Sequence, residues 1–150
     1  DRLASKGAKL FCVIKYEQEF HFINTHMQSD YEIDYSDIRI SQYTEINNHL
    51  ILPMEKSDIP LILCGDLNIS QPSKLKKMLQ KLKLINGPLM GTLQQSIVGK
   101  NKDVLDYILV SEDHSKFKSI RRRIINFPNK LKEKEYNLSD HYPIEAIFSW

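Results

Sequence analysis

Apolar residues recur along this chain in two rhythms. Short, mostly apolar runs at residues 10–16, 20–24, 61–64 and 104–110 are too brief for helices and predict strands. Glu17, Gln18 and Glu19 suit a short hairpin connection between the first two runs. Leu61-Ile62-Leu63-Cys64, opened by Pro60, reads as a strand buried on both faces. The second rhythm has helical spacing. Tyr43, Ile46 and Leu50 predict a helix capped by Ser36 or Asp37 and closed by Pro53. Leu75, Met78, Leu79 and Leu82 form the stripe of another, with Ser70 as its cap and Pro72 in its first turn. Lys74, Lys77 and Lys81 line its opposite, solvated side. Residues 86–103 read as a long loop bearing on substrate. Residues 119–127 read as a strand interrupted by Arg121-Arg122-Arg123, residues 130–137 as an exposed charged loop, and residues 144–150 as a half-exposed strand. Strands alternating with helices give an α/β (α+β) fold, and the opening hairpin makes the sheet mixed.

Polar residues collect at the ends of these runs. Gly65 breaks the third run and turns the backbone, after which Asp66 and Asn68 face one side. The second run ends in Asn24-Thr25-His26, and Asp140-His141 precedes the last strand. Asp106 interrupts the middle of an apolar run, where an unpaired carboxylate is too costly, so it requires a partner. Each has a plain reading: His26 bonded to backbone, Asp66 and Asn68 capping the helix near Pro72, Asp140-His141 in a turn. Together they need a separate excuse at every strand end.

Composition narrows the chemistry. One domain fits 150 residues, and 41% hydrophobic content supports a core. A net charge of +2 selects no partner. Cys12 and Cys64, each inside an apolar run, read as buried small hydrophobes rather than a disulfide. There is no signal peptide, no apolar run long enough to span a bilayer, no repeat and no linker. The chain starts at Asp1 with a core-like strand almost at once, as an excised piece would. A Gly-rich phosphate loop, a G-x-S-x-G elbow, a nucleophilic cysteine and zinc-ligand spacing are all missing. Two histidines, three carboxylates and an amide point to metal-assisted hydrolysis of a phosphate ester. Their oxygen ligands suit magnesium or manganese.

Asn24-Thr25-His26, Gly65-Asp66-Leu67-Asn68, Leu105-Asp106-Tyr107-Ile108 and Ser139-Asp140-His141-Tyr142-Pro143 resemble, in order and spacing, the motifs of the endonuclease/exonuclease/phosphatase superfamily. Thr25-His26-Met27-Gln28, the pair Arg39 and Gln42, and residues 139–144 resemble bacterial sphingomyelinase C more narrowly. The resemblance implies a DNase I-like four-layer α/β/β/α sandwich, of which residues 1–150 would be the carboxyl-terminal portion, with no second domain. It implies His141 as the base that activates water, oriented by Asp106, and Asp140 beside the metal or supporting that base. Asp66 would place the nucleophile or metal, Asn68 would contact the scissile phosphate, and His26 would stabilise the transition state or protonate the leaving oxygen. The cation would be Mg²⁺, or Mn²⁺ or Co²⁺, with the main Glu ligand upstream of residue 1. The implied substrate is a phospholipid headgroup at a membrane surface, sphingomyelin above all, and the implied location is extracellular. The alternatives are a nuclease, with Arg121 to Arg123 and the lysine helix tracking a phosphate backbone, and a non-catalytic phospholigand- or protein-binding relative. Gly91-Thr92-Leu93 and residues 127–134 depart from the sphingomyelinase pattern in having no tryptophan.

Overall fold

A computed structural model describes residues 8–15, 18–30, 32–99, 102–112, 119–126, 129–131, 134–136 and 139–149. The first strands, β1 (Ala8–Lys15) and β2 (Gln18–His26), form an antiparallel pair. The predicted turn residue Glu17, the side chain of Cys12, Phe127-Pro128 and Trp150 lie outside the described residues.

The helical run that opens with α1 (Ser36–Ile46) closes at Met54, one residue past the expected Pro53. It runs on through a π-helical turn (Asn47–Ile51) into one further turn, α2 (Leu52–Met54). The Leu52 N–H reaches back five residues to the Asn47 carbonyl, and the Glu55 N–H closes the run on the carbonyls of Ile51 and Leu52. Pro53 then sits in the first turn of α2, where its missing N–H costs nothing. Neither Ser36 nor Asp37 is the cap, which is Tyr35.

Next come β3 (Leu61–Asp66) and α3 (Pro72–Leu82). The N-cap of α3 is Gln71 rather than Ser70, without a side-chain cap. Pro72 has no N–H to satisfy, and the Leu75 N–H uses the Gln71 carbonyl. The predicted stripe holds: Met78 and Leu82 are buried, and Leu75 and Leu79 pack against the same core. A short strand, β4 (Leu84–Asn86), ends where the expected loop at residues 86–103 begins, and the loop itself contains another, β5 (Leu89–Met90).

Five strands make one mixed sheet in the order β1-β2-β3-β6-β4, where β6 is Asp106–Ser111. β7 (Ser119–Ile124), β10 (Ile144–Ser149) and β5 make a second, in the order β10-β7-β5. β8 (Asn129–Leu131) and β9 (Lys134–Tyr136) form a hairpin where a charged loop was expected. Those residues alternate no apolar positions, so only the backbone pairing reveals the strands.

Alternation along β3 divides the core. Leu61 and Leu63 face the helices with Ile23, Leu109, Ile46, Met78 and Leu82. Ile62 faces the other way, with Val110, Ile120, Phe20, Phe22 and Phe148, between the two sheets. The layers are therefore helices, a five-stranded sheet, then a three-stranded sheet. Strand β7 is not interrupted by its arginines but alternates through them. Arg122 points inward, where its Nε donates to the Gly87 carbonyl at 2.8 Å and its guanidinium lies 5.9 Å from the Tyr107 ring centre. Arg121 and Arg123 point outward, and Arg123 pairs with Glu145 at 2.5 Å.

Candidate active site

The register of the first sheet builds one edge of the site. His26 on β2 is the parallel partner of Asp66 on β3, and Asp66 is the antiparallel partner of Asp106 on β6. The three side chains therefore stand abreast on a single rung across three strands. Asp106 is not in the middle of its strand, as the sequence predicts, but is its first residue. Because β6 runs against β3, its start meets the end of β3. His141 joins from the lead-in to β10, held by an isolated bridge to Ile97.

His141 supplies the partner that Asp106 requires: Nδ1 lies 2.7 Å from Asp106 Oδ2. Asp66 Oδ2 lies between two imidazoles, 3.3 Å from His26 Nε2 and 3.9 Å from His141 Nε2. Burial and the Asp106 charge push the Asp66 carboxyl above its ordinary range, against the Asn68 N–H and the two histidines. Burial alone would lower the pKa of His141. The hydrogen bond to Asp106 and the charges of Asp106, Asp66 and Asp140 outweigh it and raise the imidazole. The thiol of Cys64, next to this edge, is free and half-buried, and burial pushes it up to about 11.

Gly65 and Asn68 shape the turn that presents Asp66. Gly65 has φ +133° and passes so close to the Thr25 carbonyl that no Cβ fits there. Asn68 adopts φ 51°. Its backbone N–H donates to Asp66 Oδ1 at 2.9 Å, and its amide nitrogen donates to the Met27 carbonyl at 2.9 Å. Asp66 thus caps the turn at Asn68, Asn68 ties that turn to the residue after β2, and neither caps the helix at Pro72. Asp140 is exposed, with Oδ1 3.4 Å from Ser139 Oγ, and is not among the three residues whose donor atoms converge.

The tail of β2 is clamped from α1. The Gln28 N–H donates to Gln42 Oε1 at 2.9 Å, and Arg39 Nη1 donates to the Gln28 carbonyl at 2.9 Å. Arg39, 3% exposed, also grips Asp30 through two bonds of 2.7 and 2.9 Å. Asp30→Ala removes the bidentate partner of that buried guanidinium, which keeps the Gln28 carbonyl, Ser36 Oγ and Asp34, so it should cost about 1–2 kcal/mol. The midpoint of thermal unfolding of the full-length polypeptide checks this. Burial raises the Asp30 carboxyl, but the Arg39 hydrogen bond, the Tyr35 N–H and the Arg39 charge outweigh it, so its pKa is depressed. Asp34 is depressed as well, by hydrogen bonds from Lys74 and Ser36. Their stabilisation is therefore complete above the unfolded Asp value of about 3.9 and is lost as pH falls through the folded values. Wild type should lose more of its stability below that pH than Asp30→Ala does.

Asp66, Asp106 and His141 could hold a metal ion, since one donor atom from each lies within 4.8 Å of the others. Two convergent carboxylates suit a hard divalent cation, which relieves the repulsion that raises Asp66. The set is short of the six oxygens such an ion takes. Sequence reasoning missed what fastens the loop before β6 to the site. The Val98 N–H donates to the Asp140 carbonyl and the Tyr142 N–H to the Ser96 carbonyl, both at 2.8 Å. A serine in a polar loop gives no pattern by which to find it.

Solved structures share the fold that carries these residues. Beta toxin from Staphylococcus aureus superposes with a TM-score of 0.77 at 26% identity over 95% of this chain. Sphingomyelinase C from Streptomyces griseocarneus gives a TM-score of 0.76 at 21% identity over 96%. An endonuclease/exonuclease/phosphatase family protein from Bacteroides thetaiotaomicron gives 0.70 at 18% identity over 94%. The fold is that of the endonuclease/exonuclease/phosphatase superfamily. The chain spans 57% of the first two proteins and 54% of the third, so it carries part of the superfamily fold. One beta toxin structure holds bound magnesium ions. No protein-family model matches the sequence, and no curated protein matches it.

Proposed function

We propose that this chain carries the base-bearing part of a divalent-metal-dependent phosphodiester hydrolase of the sphingomyelinase C kind, which cleaves sphingomyelin to ceramide and phosphocholine. The observation that supports it is the Asp106–His141 pair standing beside Asp66 and His26 on one sheet edge. Asp106 holds the Nδ1 proton of His141, which leaves Nε2 to take a proton from water. The water oxygen attacks phosphorus in line while the bond to the leaving oxygen breaks. Asp106, Asp66 and Asp140 stabilise the imidazolium that forms. His26, at the exposed rim, gives a proton to the leaving oxygen. Asn68, anchored on the Met27 carbonyl, offers its second amide hydrogen to a phosphate oxygen. Asp66, with Asp106 and Asp140 close by, would hold the cation (Mg²⁺, Mn²⁺ or Co²⁺). When bound, it draws charge from the phosphate oxygens. The chain would form the carboxyl-terminal portion of its domain, with the principal Glu ligand upstream. On this reading the protein works outside the cell, at a membrane surface.

The test is to offer the full-length polypeptide sphingomyelin, phosphatidylcholine and DNA side by side, with Mg²⁺ and with chelator. Sphingomyelin should be cleaved fastest, and chelator should abolish the cleavage. Cleavage of DNA alone would establish a nuclease, and no cleavage at all would leave a binding protein. The outward placement of only Arg121 and Arg123, one of them paired with Glu145, gives the nuclease a weaker phosphate track than the sequence offers.

A further inference from the structure

Ser96 lies in the loop between β5 and β6 and is fully buried, although it belongs to no strand or helix. Every hydrogen bond it makes leads toward the Asp106–His141 pair. Its Oγ accepts the N–H of Leu105 at 2.8 Å and the N–H of Asp106 at 3.2 Å. Its carbonyl accepts the Tyr142 N–H at 2.8 Å, and its own N–H donates to the Asp103 carbonyl at 2.9 Å. Its neighbour Ile97 forms the bridge to His141.

The position explains the need. On the side of β6 away from β3, β4 pairs only with residues 109–111. Asp106, at the open start of the strand, has no β4 residue opposite it. A side-chain oxygen there takes over what a strand carbonyl would otherwise do. Buried peptide N–H groups must be paired, so the Ser96 hydroxyl sets where the Asp106 backbone sits. The Ser96 carbonyl does the same for the residue after His141. One residue thus fixes both halves of the pair, one on β6 and the other ahead of β10, separated by 35 positions.

We propose that Ser96 is a positioning residue that sets the distance between Asp106 and His141. This rests on the reading of that pair as the water-activating base. Ser96 touches neither substrate nor reacting atoms; it acts through the two backbones it joins. Ser96→Ala removes only the oxygen and leaves the packing volume nearly unchanged. It frees two N–H groups, and the start of β6 shifts to satisfy them.

The test uses the full-length polypeptide and two readouts. In metal-free protein, the His141 Nδ1–H proton resonance, far downfield while bonded to a carboxylate, should move upfield or exchange away in Ser96→Ala. Ser96→Thr, which keeps the oxygen, should restore it. In turnover, Ser96→Ala should lower kcat by about tenfold to a hundredfold, the scale of small misplacements, at unchanged KM. A Ser96→Ala resonance at the wild-type position, or a change confined to KM, would overturn the proposal. Inactivity of the unsubstituted protein would instead overturn the hydrolase reading, and the resonance would still decide the role of Ser96.

Discussion

Replacing His141 with alanine is expected to lower kcat by about a hundredfold or more, the scale of a positioned acid–base group. The geometry gives the reason. Nδ1 is committed to Asp106 at 2.7 Å, so the ring presents one nitrogen, Nε2, toward the space beside Asp66. Among the described residues no other imidazole replaces it, because His26 approaches Asp66 from the β2 side, with its Nε2 3.3 Å from the same carboxylate oxygen. The loss should fall on kcat with KM nearly unchanged, since the ring is asked to move a proton and not to hold substrate. Stability should fall as well, by about 1–3 kcal/mol, because truncation leaves the Asp106 carboxylate, 16% exposed, without its hydrogen-bond partner. Steady-state kinetics on the full-length polypeptide, with a thermal melt as control, separates the two. An unchanged kcat in a folded variant would remove His141 from the mechanism.

Gly65→Ala should have the largest effect on stability, about 4 kcal/mol or more. At φ +133° an L-residue is strained whatever the space. Here there is no space either, because the new carbon would fall on the Thr25 carbonyl and close to Asn24 Oδ1, 3.2 Å away. Thr25 and Gly65 are register partners, so relief requires the parallel β2–β3 pairing to open. That pairing lies between both cores, and the next residues along it are His26 and Asp66. Denaturant unfolding of the full-length polypeptide should show a lower midpoint with unchanged slope, and poor soluble yield is the extreme case. A loss below about 1 kcal/mol would mean that the backbone at Gly65 does not approach Thr25 this closely.

The parts of the fold carried by apolar pattern were legible in the sequence. The run at residues 61–64, the stripe of α3 and the core residues of α1 sit where periodicity puts them, because burial of those side chains is what forms the elements. What failed was set by backbone bonding. The helix reaches Pro53 as expected, but the π-helical turn inside it leaves no mark in composition. The β8–β9 hairpin pairs charged residues that no hydrophobic rule detects. Of the site, Asp106 was legible as a carboxylate in need of a partner, since its setting makes it expensive. Its place at the start of β6 was not, because strand direction decides which end meets Asp66, and direction leaves no trace in the run itself. Asp66 and Asn68 were legible as a pair but not as partners bonded to each other across a left-handed turn. Ser96 was invisible, since its importance comes entirely from residues distant in sequence.

The rung shared by His26, Asp66 and Asp106 has a consequence for how this centre can change. Strands in a sheet lie about 4.8 Å apart, a spacing fixed by peptide hydrogen bonds and indifferent to which side chains the strands carry. The three groups are therefore held on a ruler that core substitutions cannot stretch. Exchanging any of the three alters charge or proton affinity in steps while the pitch stays constant. Geometry can change only by a slip of whole residues, and a slip of one would turn each side chain of that strand to the opposite face. The chemistry of this edge is open to gradual adjustment, while its dimensions are kept or lost outright.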